Sequence, residues 1–267
     1  MPGCVYPFVA VYSNRSAVSG DEWRFTGLEF QILWRRLGLD RLPYPLRYRP
    51  IAETQDDLDR QRRDASAALL PRVTETLHRH LVTLAEPTVR IEVFGFAGRS
   101  DTTPVRLHAG IRGDTGTLAI QLPGPDPETG GDVLVRGVAP TRVPDAIASA
   151  LPTAPAGARS AVRFRRTDLQ PAQGAVLRSA GSAGLRDEVR ALLGRPRSGT
   201  GEITAFAGAA YDSRPTDDGA AMHWLDFGDD GRYVLRGDPD IVVRPAGTAD
   251  IAAEVRALLD AVRAAAR

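Results

Sequence analysis

Lysine is absent from this chain, and cysteine, histidine and aromatic side chains are scarce. Arginine therefore supplies all 34 basic side chains, which nearly balance the 33 acidic ones and leave a formal net charge of +1. A dedicated nucleic-acid-binding protein has a strong basic excess, so this balance argues against that class. Abundant alanine, glycine and proline, together with the lack of lysine, indicate a bacterial genome of high G+C content.

The single cysteine, Cys4, excludes an intramolecular disulfide and a thiolate metal site. Long apolar runs are absent as well, since no stretch reaches the roughly 18 uncharged apolar residues that a transmembrane helix needs. The segment Met1–Tyr12 lacks the basic start of a signal peptide. We therefore expect a cytoplasmic protein whose residues 1–21 form a flexible leader.

Two stretches of the chain follow the same order of elements. Val89–Leu151 and Glu202–Val262 each predict strands around a tight turn, a further strand and a closing helix. The turns are Gly113–Gly116 and Gly228–Gly231. The sequence therefore predicts an α+β fold, with a central antiparallel sheet flanked by helical bundles and an internal pseudo-two-fold duplication.

This repeat predicts a single domain over residues 22–267, made of two related halves at about 22–151 and 159–267. The segment Val105–Arg112 alternates apolar with polar side chains, which predicts a strand with one face on the core and one towards solvent or a partner. Pro123–Gly131 is rich in proline, glycine and acidic residues and predicts a loop.

The first helix is the most sharply defined. Thr26 and Glu29 predict a capping box, in which each side chain binds an otherwise unpaired backbone N–H. Apolar residues at positions i, i+3, i+4 and i+7 follow, and Gly38 ends the helix. Further helices are predicted at about residues 56–64, 71–84, 144–151, 185–193 and 251–262, with Pro71 in the first turn of the second of these.

A catalytic site is hard to find in the chain. There is no Gly-x-Ser-x-Gly nucleophile motif, and the glycine-rich Gly181–Gly184 lacks the context of a phosphate-binding loop. His108 and His223 lie at the same position in the two halves, five residues before the glycine of each turn. Two such imidazoles could hold a metal if they meet at a two-fold axis, but no further ligands accompany them. A place on a sheet face is the alternative.

Five strings of residues carry the likeness to a known family. They are Phe25–Trp34, Leu42–Leu46, Leu84–Glu92, Gly199–Ile203 and Asp230–Leu235. In order and spacing they resemble the EspG family, the ESX (type VII) secretion-associated chaperones of actinobacteria. The resemblance covers about residues 22–262, nearly the whole chain.

The resemblance implies a cytosolic chaperone that is not an enzyme and needs no cofactor. Family members bind the helical tip of the PPE subunit of PE–PPE pairs, keep the pair soluble and deliver it to the secretion machinery. Their contact surface includes the loop between the second and third strands, the central sheet and the C-terminal helical bundle. The loop maps here to Gly98–Thr103 and the bundle to about residues 171–194.

This mapping gives the expected partner-binding residues. Those in the loop are polar, and their sequence predicts an exposed segment. For the helix residues in the set, a place in the core is the alternative. Two other functions stay open: an enzyme with a small site between the halves, and a self-associating protein that forms a homodimer through a sheet edge. The predicted partner-binding residues are Arg99, Ser100, Asp101, Thr102, Thr103, Leu185, Val189 and Leu192.

Overall fold

An antiparallel sheet of ten strands forms the centre of the fold. The computed structural model describes residues 21–98, 103–126, 128–169, 180–210, 216 and 218–266, without the side chains of residues 168, 169, 180–183, 185 and 186. The predicted leader, apart from Asp21, thus lies outside the described residues. The strands are β1 Glu22–Phe25, β2 Val89–Ala97, β3 Thr103–Arg112, β4 Thr115–Asp126, β5 Thr129–Val138, β6 Val162–Arg165, β7 Gly199–Ala207, β8 Ala220–Phe227, β9 Gly231–Arg236 and β10 Asp240–Pro245.

The strand order is the same in the two halves of the sheet. β1, β5, β4, β3 and β2 lie side by side in the first half, and β6, β10, β9, β8 and β7 follow the same order in the second. β2 pairs with β7 in the middle, in a register centred on Val93 and Ile203. The α+β class with a central antiparallel sheet is confirmed. The internal duplication and the division into two related halves stay predictions, because strand order alone does not establish them.

Helices cover both faces of the sheet. The helices of the described residues are α1 Gly27–Arg36, α2 Gln55–Leu69, α3 Glu75–Ala85, α4 Val143–Ala150, α5 Ala180–Leu193 and α6 Thr248–Ala265. α4 and α6 pack on one face, where the largest core buries Val93, Ile203 and Trp224 completely. On the opposite face, α1, α2 and α3 cover the outer strands of the first half, and α5 covers those of the second.

The start of α1 follows the predicted capping box. The Thr26 hydroxyl accepts a hydrogen bond from the Glu29 N–H at 3.2 Å, and the Glu29 carboxylate accepts one from the Thr26 N–H at 2.8 Å. Two of the backbone N–H groups that a helix leaves unpaired at its start are therefore satisfied. Phe30, Leu33 and Trp34 then face the core, as their spacing predicts.

The predicted start of α3 at Pro71 is wrong. Leu70–Arg72 forms a separate 3-10 turn, and Val73 has an extended backbone with ψ near 104°. The helix begins after Thr74, whose hydroxyl accepts a hydrogen bond from the Leu77 N–H at 3.2 Å. A threonine hydroxyl satisfies an otherwise unpaired N–H at a helix start, whereas a proline side chain offers no acceptor, so the cap decides where the helix begins.

The predicted loop Pro123–Gly131 is instead the end of a β-hairpin, because β4 continues to Asp126 and β5 begins at Thr129. The register shifts between Gln121 and Asp126, which breaks the apolar alternation that a strand prediction uses. The Asp126 carboxylate closes the turn by accepting hydrogen bonds from the backbone N–H and the hydroxyl of Thr129 at 2.7 and 3.0 Å. Local hydrogen bonding of this kind favours a tight turn over a longer loop.

A pair of glycines makes room for the largest side chain in the central core. Gly95 of β2 and Gly201 of β7 pair directly across the middle of the sheet. A Cβ atom on Gly95 would lie 2.7 Å from the Trp224 ring, and one on Gly201 would overlap that ring. The indole of Trp224 therefore lies against backbone that only glycine leaves open.

We expect Gly201→Ala to lower the free energy of unfolding by about 1–3 kcal/mol, because the methyl group displaces the Trp224 ring in a close-packed core. Chemical denaturation of both proteins measures the difference. Gly184→Ala is the matched control, since a Cβ atom there meets nothing within 4 Å and Gly184 lies in α5, where alanine favours the helix. Equal stability of wild type and Gly201→Ala would contradict the packing described here.

Candidate partner-binding surface

The middle of the sheet has an accessible outer face. Successive side chains of a strand alternate between faces, so the neighbours of the buried Val93 and Ile203 point away from α4 and α6. Phe94 on β2 is half-buried there, and Glu202 on β7 and His223 on β8 are exposed. We call this region, between the α1–α3 group and α5, the central face.

A groove of about 170 Å³ is sunk into the central face. Three aromatic rings line it, those of Tyr44, Phe94 and Phe206. The charged side chains that line it are the glutamates Glu92 and Glu202, and threonine hydroxyls complete the wall. Tyr44 and Phe94 also contact one another, with ring centroids 6.0 Å apart. We refer to this feature as the central groove; its lining is both aromatic and acidic.

Arg90 fixes one side of the central groove. Its Nε lies 3.0 Å from a carboxylate oxygen of Glu92, and both side chains are buried. Its guanidinium also lies 4.0 Å from the centroid of the Phe206 ring, in a cation–π contact. The two Nη atoms donate to the Gly208 carbonyl at 3.2 Å and to the Thr216 hydroxyl at 2.9 Å. Arg90, from the first half of the sheet, therefore holds backbone and side chain of the segment that follows β7.

The carboxylates of Glu92 and Glu202 both raise the pKa of groups that line the central groove. Burial raises the pKa of Glu92, the Arg90 guanidinium opposes this rise, and the negative charge of Glu202 adds to it. Burial likewise raises the pKa of Tyr44, with the charges of Glu92 and Glu202 as the next causes and two nearby arginines in opposition. A carboxylate that makes a neighbouring acid harder to ionise creates a negative potential at that point. The two glutamates therefore add negative potential to the groove, which the nearby arginines oppose.

His108 has a structural position beside this region. The side chain is 2% exposed, and its Nδ1 and Nε2 lie 2.9 and 3.3 Å from the carbonyl oxygens of Tyr44 and Leu84. Burial lowers the pKa of His108 to about 4. The polar face of β3 was predicted to meet solvent or a partner, but at His108 α3 and the segment at Tyr44 cover it. That part of the prediction is wrong, because alternation shows which residues share a face of the strand but not which segments cover that face.

His108 and His223 do not meet, so the sheet-face alternative describes both of them. His108 on β3 pairs with Glu92 on β2, and His223 on β8 pairs with Glu202 on β7. Two strands separate the imidazoles, so about three inter-strand spacings, or roughly 14 Å, lie between them. They do hold the same position in the two halves. Among the described residues, no three His, Cys, Asp or Glu side chains are grouped so as to hold a metal ion.

The predicted contact residues of the loop fall mostly outside the described residues. Arg99, Ser100, Asp101 and Thr102 all lie there, and Thr103 is the first residue of β3, where it pairs with Ala97. The loop therefore leaves and re-enters the sheet at the end where β7 begins, because Ala97 also pairs with Gly199.

The predicted contact residues in α5 are Leu185, Val189 and Leu192. Val189 and Leu192 are 1% and 3% exposed and pack on the strands of the second half, as the core alternative had it. The side chain of Leu185 lies outside the described residues. The exposed side of α5 carries Asp187 and Glu188 instead.

The residues of the central groove were missed at the sequence level. The alternation of Arg90, Glu92 and Phe94 with apolar residues could have marked β2 as a strand with a polar and aromatic outer face. The pattern could not predict that Tyr44 and Phe206, from distant parts of the chain, approach this face.

Comparison with known proteins identifies the family. The family model of the EspG family matches residues 26–257. The chain belongs to the EspG family. Its fold is similar to that in the solved structure of the Mycobacterium tuberculosis type VII secretion system chaperone EspG5 in complex with the PE25–PPE41 dimer, with a TM-score of 0.57 and 15% sequence identity. This likeness covers 90% of the present chain and 96% of that chain. No curated protein matches the chain.

The EspG assignment confirms the resemblance carried by the five sequence strings. At 15% identity the structural likeness concerns the fold, which places the same kind of sheet and helices along nearly the full length of both chains. No described helix of this EspG chain is long and apolar enough to cross a membrane.

We expect the buried His108 to make stability depend on pH. Its folded pKa of about 4 lies below its ordinary 6.5, so the unfolded chain binds the proton more readily. Stability is therefore complete above about pH 6.5 and is lost as the pH falls towards 4, by about 1 kcal/mol between pH 7.5 and 5.5. Chemical denaturation at the two pH values measures this loss.

The matched comparison is His108→Gln, which lacks a titrating group at this position. Its own stability is lower, but its loss between the two pH values is smaller than that of wild type by about 1 kcal/mol. Equal losses in the two proteins would show that His108 does not titrate in this range.

Proposed function

We propose that this chain is a cytosolic chaperone that binds a helical type VII secretion substrate of the PE–PPE kind, keeps it soluble and targets it for secretion. The observation that carries the proposal is membership of the EspG family over residues 26–257. The similar solved structure, a type VII secretion chaperone in complex with a PE25–PPE41 dimer, supports the choice of partner.

The central face supports a binding role. It places aromatic rings beside exposed polar groups, a mixture that covers the apolar tip of a partner helix without leaving polar groups unpaired. An exposed apolar helix tip is an aggregation hazard in water, and a sheet face laid over it removes that surface from solvent. Rigid strands hold this surface in shape before the partner arrives, so little ordering accompanies binding.

The loop and α5 flank the central face in the proposed complex. Residues Arg99 to Thr103 connect β2 with β3 at one end of it, and we propose that they contact the partner. The core positions of Val189 and Leu192 support a different role for them, in which they hold α5 on the sheet. The exposed Asp187 and Glu188 of α5 are then available to a partner.

Co-expression tests the proposed function directly. We expect the chain to co-purify with a pair of small helical secretion substrates encoded beside its gene, as a complex of fixed stoichiometry on size-exclusion chromatography with light scattering. The client, expressed alone, should be largely insoluble. A well-folded chain that captures none of the neighbouring PE–PPE pairs would contradict the proposal, and a dimer of the isolated chain would favour self-association.

Charge reversal in the loop tests the predicted contact residues. We expect Arg99→Glu together with Asp101→Arg to weaken client binding at least fivefold, because ion pairs and hydrogen bonds with the partner are lost or become repulsive. Thermal unfolding should change little, since exposed charges contribute little to stability. A loss of stability that accompanies the loss of binding would mean that the loop is structural.

A further inference from the structure

We propose that the central groove receives an arginine side chain of the client, with Glu202 as the carboxylate that pairs with it. The identity of the client rests on the function proposed above, whereas the chemistry of the groove rests on its own geometry. The two can therefore be tested separately.

Glu92 and Glu202 hold corresponding positions in the two halves of the sheet but have different neighbours. In β2, Arg90 precedes Glu92 by two residues and neutralises it inside the protein. In β7, Thr200 stands two residues before Glu202, at the corresponding position. Glu92 therefore has a resident arginine, and the equivalent place beside Glu202 holds an uncharged side chain.

Glu202 is accessible to a partner. Its side chain is 48% exposed, and within the described residues its ion-pair contact is a loose one, 3.5 Å from Nδ1 of His223. One carboxylate oxygen accepts a hydrogen bond from the Thr204 hydroxyl at 2.6 Å. That bond orients the carboxylate and leaves the other oxygen directed towards His223, where a second donor can approach.

The lining of the groove matches a guanidinium in particular. A planar guanidinium stacks on aromatic faces and donates two parallel hydrogen bonds to a carboxylate, whereas a lysine ammonium is a compact, strongly hydrated charge. The groove offers the rings of Tyr44 and Phe94 together with the carboxylate of Glu202. Its volume of about 170 Å³ corresponds to roughly six water molecules, enough for the end of one long side chain.

The protein itself supplies a precedent for this arrangement. The Arg90 guanidinium already pairs with Glu92 while it lies 4.0 Å over the Phe206 ring. Aromatic ring, carboxylate and guanidinium thus meet once within the chain at one side of the groove. Tyr44, Phe94 and Glu202 present the same kinds of group on the open side.

The first test needs no client. N-butylguanidinium, which carries the arginine head group on a short alkyl chain, is titrated into the full chain, and NMR follows ¹³C-labelled phenylalanine and tyrosine rings. We expect saturable shifts at Tyr44 and Phe94, with Glu202→Gln raising the dissociation constant about fivefold and n-butylammonium binding more weakly than N-butylguanidinium. Glu202→Gln keeps the shape of the side chain, and circular dichroism checks that it folds.

Asp260→Asn is the matched control, because Asp260 is an exposed carboxylate on α6, which packs on the other face of the sheet. It should bind the probe as wild type does. The inference is overturned if the rings of Tyr44 and Phe94 do not respond in wild type, or if Glu202→Gln binds the probe as tightly as wild type.

The second test uses the client pair found by co-expression. Glu202→Arg should lower its capture at least fivefold, and Asp260→Arg should not. Failure of wild type to capture any pair counts against the proposed function alone, since the probe titration still decides the chemistry of the groove. Capture that is unchanged in Glu202→Arg overturns the pairing of Glu202 with a client arginine.

Discussion

The pairing of β2 with β7 is the constraint on which the rest of the structure depends. It runs along the whole nine-residue length of both strands and joins two five-stranded halves into one sheet. Backbone N–H groups of Gly98 and Gly208 extend it at both ends, by donating to the carbonyl oxygens of Ser198 and Thr88. Every residue of the central face owes its position to this register, because a shift by one residue would turn the glutamates into the core.

The same pairing creates an uneven surface from two similar halves. Glu92 and Glu202 hold corresponding positions, as do His108 and His223, yet one member of each pair is buried and the other is exposed. In the first half, Arg90 covers Glu92 and the segment around Tyr44 covers His108. A sheet of repeating connectivity thus acquires a groove with one occupied side and one open side.

The sequence predicted those parts of the fold that depend on local chemistry. The capping box at Thr26 located α1, and alternation located the middle of most strands, because both signals lie within a few residues of one another. Prediction from the sequence failed where local signals conflict with contacts between residues that are distant in the chain. Asp126 closes a hairpin inside a stretch that composition marks as a loop, and His108 is covered by segments that alternation does not reveal.

The binding surface was predictable only in outline. The family likeness pointed to the central sheet, the loop and the helical bundle, and the loop residues Arg99 to Thr102 remain a prediction. The groove itself requires Tyr44, Phe94 and Phe206 to converge from three separate segments, which no spacing rule encodes. Buried Val189 and Leu192 show the reverse difficulty, since an apolar helical stripe looks alike whether it faces a core or a partner.

The position of the central strands in the chain also has a consequence for how the protein forms. β2 and β7 are neighbours in space but roughly a hundred residues apart in sequence. Contacts of such separation carry a large loop-closure entropy and tend to form late. During synthesis the first half emerges with β2 as an open edge, a template for unwanted pairing with other chains. The completed chain protects its own middle strand, so the nascent chain is vulnerable to aggregation until its second half has been made.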